Sequence, residues 1–330
     1  MNHHINRRRM LGATAGLMGC AAWPARGQPA SYPSRPITLV VPFASGGSAD
    51  ISGRAIAERL GKLLGQTIIV DNRGGAGGAI GSAFVAKAAP DGYTLVVTSQ
   101  STHVVNPVVT PNLSYNAETD FAPIALIDRL ANVLLVNATL PVKSFDEFVQ
   151  FVRANPGKWN YASSGNGSVA HLSMELLKAK LGLVMTHVPY KGAGAALTDL
   201  LSGQVQVTWN NLTSNLPMIS SGKLRALAVA APARVAQLPA VPTFDELKLP
   251  DLNLTSWTGL AAPAKTPDAI VARLYEAMRT VLSDPATKLA WKARGAMLPE
   301  ALSPTQHRQE ISQRIQFYRN VIKTHKIVLD

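Results

Sequence analysis

The chain has 330 residues, of which 47% are hydrophobic and 16% charged, with one cysteine and a formal net charge of +12. That length accommodates two lobes with separate cores, and a single cysteine rules out an internal disulfide framework, so buried apolar surface must hold the fold. After residue 30 the basic residues are scattered, with no Lys/Arg run interleaved with aromatics. This argues against nucleic acid as a partner and leaves a solvated basic surface or a field that attracts small anions.

The chain opens on Arg7-Arg8-Arg9, a short apolar run from Met10 to Ala22, and Pro24-Ala25-Arg26-Gly27. A basic segment, a short apolar segment and small residues read as an export signal over 1–27, and Arg-Arg-Met-Leu suggests the twin-arginine route. The run is too short to span a bilayer. Cys20 follows Leu17-Met18-Gly19. It is either discarded with the signal or lipidated as an anchor. The signal holds Arg7, Arg8, Arg9 and Arg26 and no acid, so the remaining chain carries +8.

Elements then alternate. Ile37–Val41 is a continuous apolar strand of buried type, and Ile51 to Leu64 follows at helical spacing. Strands at 67–70 and 94–98 flank a turn at 72–78 and a helix to about Ala88, giving a βαβαβ order and a parallel, doubly wound sheet. A second lobe begins near Leu130. It has strands at 133–136, 159–163, 185–188, 205–209 and 224–229, and helices at 145–153 and 168–181. A further helix follows Gly194, and Leu216 and Pro217 fall in a short connecting segment. Trp257–Ala261 reads as a return strand. Helices around Ile270–Val281, from Pro285, and over Ile311–Ile322 then pack back on the first lobe. The division expected is therefore a first lobe of 28–129 with 253–330 and a second of 130–252, joined by two crossings that form a hinge.

Two glycine-rich turns carry the chemistry. Phe43-Ala44-Ser45-Gly46-Gly47-Ser48 follows the first strand, and Ser163-Ser164-Gly165-Asn166-Gly167-Ser168 follows a strand of the second lobe. Each is poised to open a helix, whose first N–H groups lack partners and carry partial positive charge. Glycine lets an anion approach them. Ser48 is the expected N-cap of the first helix, with Asp50 in its first turn. Each turn alone also fits a plain strand–helix connection. Gly77 and Gly78 belong to a third cluster that is either an anion nest or a tight packing turn. Ser99, Gln100 and Ser101 sit at the carboxyl end of the third strand, where open α/β sheets bind ligands. His171 is either a ligand contact or a cap partner. Lys191 either meets an anion or is solvated, and Trp209-Asn210-Asn211 ends a strand, where the amides of Asn210 and Asn211 are candidates to line the cleft. No metal site is expected, because His171 and Glu175 alone do not make one. No nucleophile elbow, zinc-protease motif, phosphate loop or cysteine nucleophile occurs after the signal. Gly165-x-Gly167-x-x-Ala170 lacks the acidic residue a dinucleotide would need, so no cofactor and no enzymatic activity are expected.

Several motifs together point to a family. They are Tyr32-Pro33-x-Arg35-Pro36-Ile37, Val41-Pro42-Phe43-x-x-Gly46-Gly47-x-x-Asp50 and Val70-Asp71-Asn72-Arg73-Gly74-Gly75-Ala76-Gly77-Gly78. With them stand Pro90-Asp91-Gly92-Tyr93-Thr94-Leu95, Tyr190-Lys191-Gly192, Leu200-Leu201-Ser202-Gly203-Gln204 and Trp257-x-Gly259-Leu260-x-Ala262-Pro263. The chain resembles the solute receptors of tripartite tricarboxylate transporters, the Bordetella uptake gene family, from about Tyr32 to Asp330. The resemblance implies a periplasmic, type II-like two-lobe binding protein, expected to be a monomer, that closes on a small mono- or dicarboxylate and delivers it to membrane transporter subunits. In that family the loops matching Phe43–Gly47 and Ser163–Ser168 grip carboxylates. Many relatives carry an acid near the strand end where this chain has Trp209-Asn210, which favours a ligand without an amino group. A receptor serving a signalling partner, or an exported hydrolase, are the rival readings.

Overall fold

The computed structural model describes residues 32–299, 302–327 and 329; the expected export signal and Cys20 lie outside them. The described strands are β1 (Ile37–Val41), β2 (Ile68–Asn72), β3 (Thr94–Ser99), β4 (Phe121–Leu130), β5 (Asn132–Asn137), β6 (Asn160–Ser163), β7 (Thr186–Pro189), β8 (Val207–Asn211), β9 (Leu224–Ala230), β10 (Ser256–Pro263) and β11 (Ala296–Met297). They form two sheets, ordered β11-β4-β10-β3-β1-β2 and β7-β6-β8-β5-β9. The helices are α1 (Ser48–Leu64), α2 (Ala79–Ala86), α3 (Asn106–Val109), α4 (Phe145–Ala154), α5 (Val169–Leu181), α6 (Ala193–Ser202), α7 (Leu212–Ser220), α8 (Asp268–Ser283), α9 (Pro285–Ala293) and α10 (Pro304–His325).

Each sheet is covered on both faces, which is why its strands read as unbroken apolar runs. From β1 and β3, Leu39, Val41, Leu95 and Val97 face a core with Ile56 and Leu60 of α1 and Leu274 and Met278 of α8. Val40 and Val96 face the other way, toward Val85 of α2 and Phe121. In β5, Leu134 and Val136 meet Phe148 of α4 and Leu172 of α5, while Val133 and Leu135 meet Ala196 and Leu200 of α6. The two-lobe α/β architecture is as expected. Both sheets are nonetheless mixed rather than purely parallel. β1 pairs parallel with β2 and β3, but β10 runs antiparallel to β3 and β4. In the second sheet β5 runs antiparallel to β8 and β9.

Three local expectations need correction. β4 was not foreseen, because Pro123, Asp128 and Arg129 interrupt its apolar run. Pro123 sits where the β4–β10 register shifts, the place a strand interior tolerates proline. Leu216 and Pro217 lie inside α7, not in a connecting segment. The N-cap of α1 is Gly47, and Ser48 is its first helical residue.

The chain crosses between the sheets at Ala131, the one residue between β4 and β5, and again over 231–255. Asn132 ties the crossings together. Its amide nitrogen donates to Leu254 O at 2.6 Å and to Ser256 Oγ at 3.0 Å, and its carbonyl oxygen accepts from Asn211 Nδ2 at 2.6 Å. Helix α10 buries Ile311, Ile315 and Tyr318 in one cluster with Leu126 of β4 and Leu172 of α5, so one apolar core runs between the lobes.

A buried charge anchors the first sheet. Asp128 is fully buried and accepts hydrogen bonds from Ser52 Oγ and Thr258 Oγ1, both at 2.5 Å, with Arg294 Nη2 at 3.2 Å. Burial pushes its carboxyl up, against the pull of the two hydroxyls and the guanidinium. Removing one partner of such a buried pair costs about 3–5 kcal/mol, because the other is left uncompensated. Asp128→Ala is expected to lower unfolding free energy by about 3 kcal/mol in urea titration. A change under about 1 kcal/mol would show that the network contributes little.

Candidate functional site between the lobes

The carboxyl ends of β1, β3 and β8 open toward the seam between the sheets, and a cavity of about 60 Å³ lies there. Three helices start at its wall: α1 through Gly47, Ser48 and Ala49, α5 through Val169 and Ala170, and α6 through Ala193. Phe43, Ser99, Gln100, Ser101, Leu130, Asn132 and Ser164 complete the wall with Trp209, Asn210, Asn211, Ser256, Trp257 and Thr258. None of these side chains is ionisable. The cavity therefore takes its charge preference from the helix starts, each equivalent to about half a positive charge.

The local sequence explains the three starts. Gly47 has extended backbone and no side chain, so α1 has no side-chain cap and its first N–H groups face the cavity wall. Gly192 leaves α6 likewise uncapped. In α5 the Ser168 hydroxyl accepts from His171 N at 3.2 Å, which takes one N–H out of play. Val169 N donates to Ser101 Oγ of the other lobe at 3.1 Å, leaving Ala170 at the wall.

Of the expected site residues, the cavity brings together Phe43, Gly47, Ser48, Ser99, Gln100, Ser101, Ser164 and Asn210. The others stand behind it or in the seam. Asp50 shapes the first turn: its carboxylate accepts from Gly46 N at 3.0 Å, Asn72 Nδ2 at 2.9 Å and Arg54 Nε at 3.0 Å. Burial raises its pKa, but Arg54, the Gly46 N–H and Asn72 outweigh that and hold it below the usual carboxylate range. Ala44 and Lys191 join the lobes through Ala44 N donating to Lys191 O at 3.1 Å. Ser45 and Gly46 are exposed at the tip of the turn. Gly77 and Gly165 pack backbone to backbone across the seam. A Cβ on Gly165 would lie 2.7 Å from Gly77 N, and one on Gly77 would run into Asn166 O. Gly78 lies under Phe43, and a Cβ on Gly167 would strike Asn106 Oδ1.

His171 is 2% exposed. Its Nδ1 accepts from Gly167 N at 3.4 Å, and its ring stacks on His187 at 3.8 Å. Burial first, then Lys178, lowers its pKa to about 4, so it is neutral. His187 Nε2 also lies 2.6 Å from Ser163 Oγ. That serine–imidazole pair is no exposed nucleophile: Ser163 is 1% exposed, lies outside the cavity wall, and its hydroxyl takes the Gly165 N–H at 3.1 Å. Among the described residues no three His, Cys, Asp or Glu groups converge as metal ligands.

Sequence reasoning missed Asn132, Ser256, Trp257 and Thr258. Asn132 lies on β5 and the others on β10, the strands that follow the two crossings. The strand end Trp209-Asn210-Asn211, expected to line the cleft, does so.

Residues 53–327 match the model of the tripartite tricarboxylate transporter family receptor. The chain belongs to the tripartite tricarboxylate transporter receptor family. Solved structures of similar proteins cover nearly all of it. The periplasmic binding protein BugD is 33% identical with a TM-score of 0.87, covering 90% of this chain and 99% of its own. Rpa4515 of R. palustris, solved with adipate, is 36% identical with a TM-score of 0.86, covering 90% and 99%. MatC of Rhodopseudomonas palustris, solved with bound malate, is 36% identical with a TM-score of 0.85, covering 88% and 100%. Tripartite tricarboxylate receptors are thus two-lobe binding proteins, and no described helix of this one is long and apolar enough to cross a membrane.

Proposed function

We propose that this receptor is exported to the periplasm, captures a small mono- or dicarboxylate between its lobes, and delivers it to membrane subunits of a tripartite tricarboxylate-type transporter. It acts as a monomer and performs no chemistry on its ligand. The observation that carries this reading is the convergence of three helix starts on a cavity whose wall has no ionisable side chain. Such a wall stabilises an anion through N–H groups and dipoles and gives a cation no carboxylate. Adipate and malate in the similar proteins support the ligand class. The buried, internally bonded Ser163 hydroxyl supports binding without turnover. In the closed arrangement, Ala44–Lys191 and Val169–Ser101 bind lobe to lobe, and Asn132 holds the crossings about which the lobes open.

The test is thermal unfolding of residues 28–330, denatured and refolded to remove bound ligand, against mono-, di- and tricarboxylates, amino acids and NAD. A ligand at about 100 times its Kd adds about 2.7 kcal/mol, a rise of several degrees. A shift with one or a few carboxylates, and the same molecules recovered intact by NMR, is expected. No shift with any carboxylate would sink the proposal, and turnover would favour a hydrolase.

A further inference from the structure

Three side chains of the cavity wall carry buried donors with no partner among the described residues: Trp209, Trp257 and Gln100, whose amide oxygen is unpaired as well. Trp209, from β8 of the second sheet, and Trp257, from β10 of the first, both line it. They are 1% and 2% exposed, and neither indole Nε1–H finds an acceptor among the described residues. A buried indole N–H ordinarily has a partner. Trp291 of this same chain does: its Nε1 donates to Ile127 O at 3.1 Å. Both orphan rings are held in place. Trp209 stacks on Phe244 at 4.8 Å and 20°, and Trp257 stands edge-on to His307 at 5.1 Å and 81°. The cost of desolvating each N–H is met when a ligand atom accepts from it.

We infer that Trp209 and Trp257 form a second subsite, in which the two indole N–H groups receive the far carboxylate of a short dicarboxylate whose near carboxylate sits at the helix starts. The inference rests on the carboxylate-receptor reading. An indole N–H donates and never accepts. The group opposite these rings is therefore an acceptor, and an ammonium placed there meets donors and no carboxylate of the wall. The donors come from opposite sheets, so a ligand that reaches both helps hold the lobes together. Trp209 and Trp257 thus set specificity: they reward a second acceptor and reject an amino group.

The experiment titrates succinate, butyrate and aspartate into residues 28–330 by calorimetry, with the wild type, Trp209→Phe and Trp257→Phe. The indole ¹⁵N–H resonances of the wild type are followed in parallel. Phenylalanine keeps an aromatic plane and removes the donor. Succinate is expected to bind about tenfold or more tighter than butyrate and than aspartate. Each variant is expected to weaken succinate about 5- to 10-fold, the value of one hydrogen bond, and butyrate by clearly less, so that the preference for succinate over butyrate falls. In the wild type the Trp209 and Trp257 resonances move with succinate while that of Trp291 does not, a readout that needs no variant to fold. Folded variants that bind succinate as the wild type does, or lose succinate and butyrate equally, overturn the inference. So do unmoved indole resonances in a succinate complex, or aspartate binding as tightly as succinate. If the wild type binds none of the three although another carboxylate of the panel raises its melting temperature, this inference falls and the receptor reading stands; if no carboxylate of the panel does, both fall.

Discussion

Gly47→Leu is expected to lower carboxylate affinity about 100-fold or more while each lobe stays folded, a loss of about 2.7 kcal/mol. Gly47 is the N-cap of α1, with φ −82° and ψ 169°. Any residue adopts that backbone, so the substitution imposes no strain of its own. Its Cβ would touch Ala193 Cβ at 3.5 Å, an ordinary contact, so Gly47→Ala is expected to bind within a few-fold of wild type. The leucine branch is different. It must enter the cavity between the starts of α1 and α6, covering the Ser48 and Ala49 N–H groups and occupying a space of about 60 Å³. An apolar N-cap costs the helix about 1 kcal/mol, which leaves most of the stability in place. Calorimetric titration and thermal melts of the two variants separate the effects. A leucine variant with wild-type affinity would remove the α1 start from the site. Gly165→Leu is a harsher companion. Gly165 has φ +121° and Gly77 N only 2.7 Å from any Cβ, so it alters both the loop and the closure of the seam.

Much of this site was readable before any coordinates. Strand, glycine turn and helix start are encoded within a dozen residues, so the turns at 43–48 and 163–168 and the buried strands feeding them follow from local rules. What local rules do not encode is which part of a turn faces the ligand. The Ser163 hydroxyl and the Asp50 carboxylate looked like donors or ligand partners, yet both are consumed in shaping their own loops. Gly77 and Gly165 looked like anion nests, and they serve the meeting of two backbones across the seam. The wall contributed by Asn132, Ser256 and Trp257 depends on strand order across distant sequence. β4 carries Pro123, Asp128 and Arg129, each of which masks the alternation that marks a strand, and Asp128 is tolerated only because Ser52, Thr258 and Arg294 reach it from three other elements.

The glycines of the seam also show what closure requires. Ala44 N to Lys191 O is a main-chain bond between lobes, and Gly74 and Gly192 both lie against it. A Cβ on Gly74 would fall 2.5 Å from Lys191 O, and one on Gly192 2.8 Å from Ala44 N. Three helix starts converge on a wall that holds no acid, and the one carboxylate in their first turns, Asp50, is already paired with Arg54, so the starts repel one another. The closed arrangement therefore gains when an anion sits between them, and binding and closure become one equilibrium.

Mild acid is expected to destabilise this protein through three buried histidines. His103, His171 and His307 are 1%, 2% and 1% exposed. Burial is the largest cause in each case, with His307, Lys178 and Arg129 adding to it respectively. It lowers their pKa values to about 3, 4 and 4, although Glu310 pulls His307 the other way. In the unfolded chain each titrates near 6.5. Above that pH both states are neutral and the groups are silent. Between about 6.5 and 4 the unfolded state binds protons that the folded state refuses, so unfolding free energy falls as pH falls. From pH 7 to pH 5 each histidine contributes a loss of about 1.8 kcal/mol, or about 5 kcal/mol together, a large share of a typical total. Asp50 and Glu310, held below the usual carboxylate range, stay ionised through this window and offset none of it, whereas Asp128, whose carboxyl burial pushes up, offsets part of it. Urea unfolding at pH 7, 6 and 5 measures the slope directly. A flat profile over that range would mean that these imidazoles are protonated within the fold, and the packing described around them would be wrong.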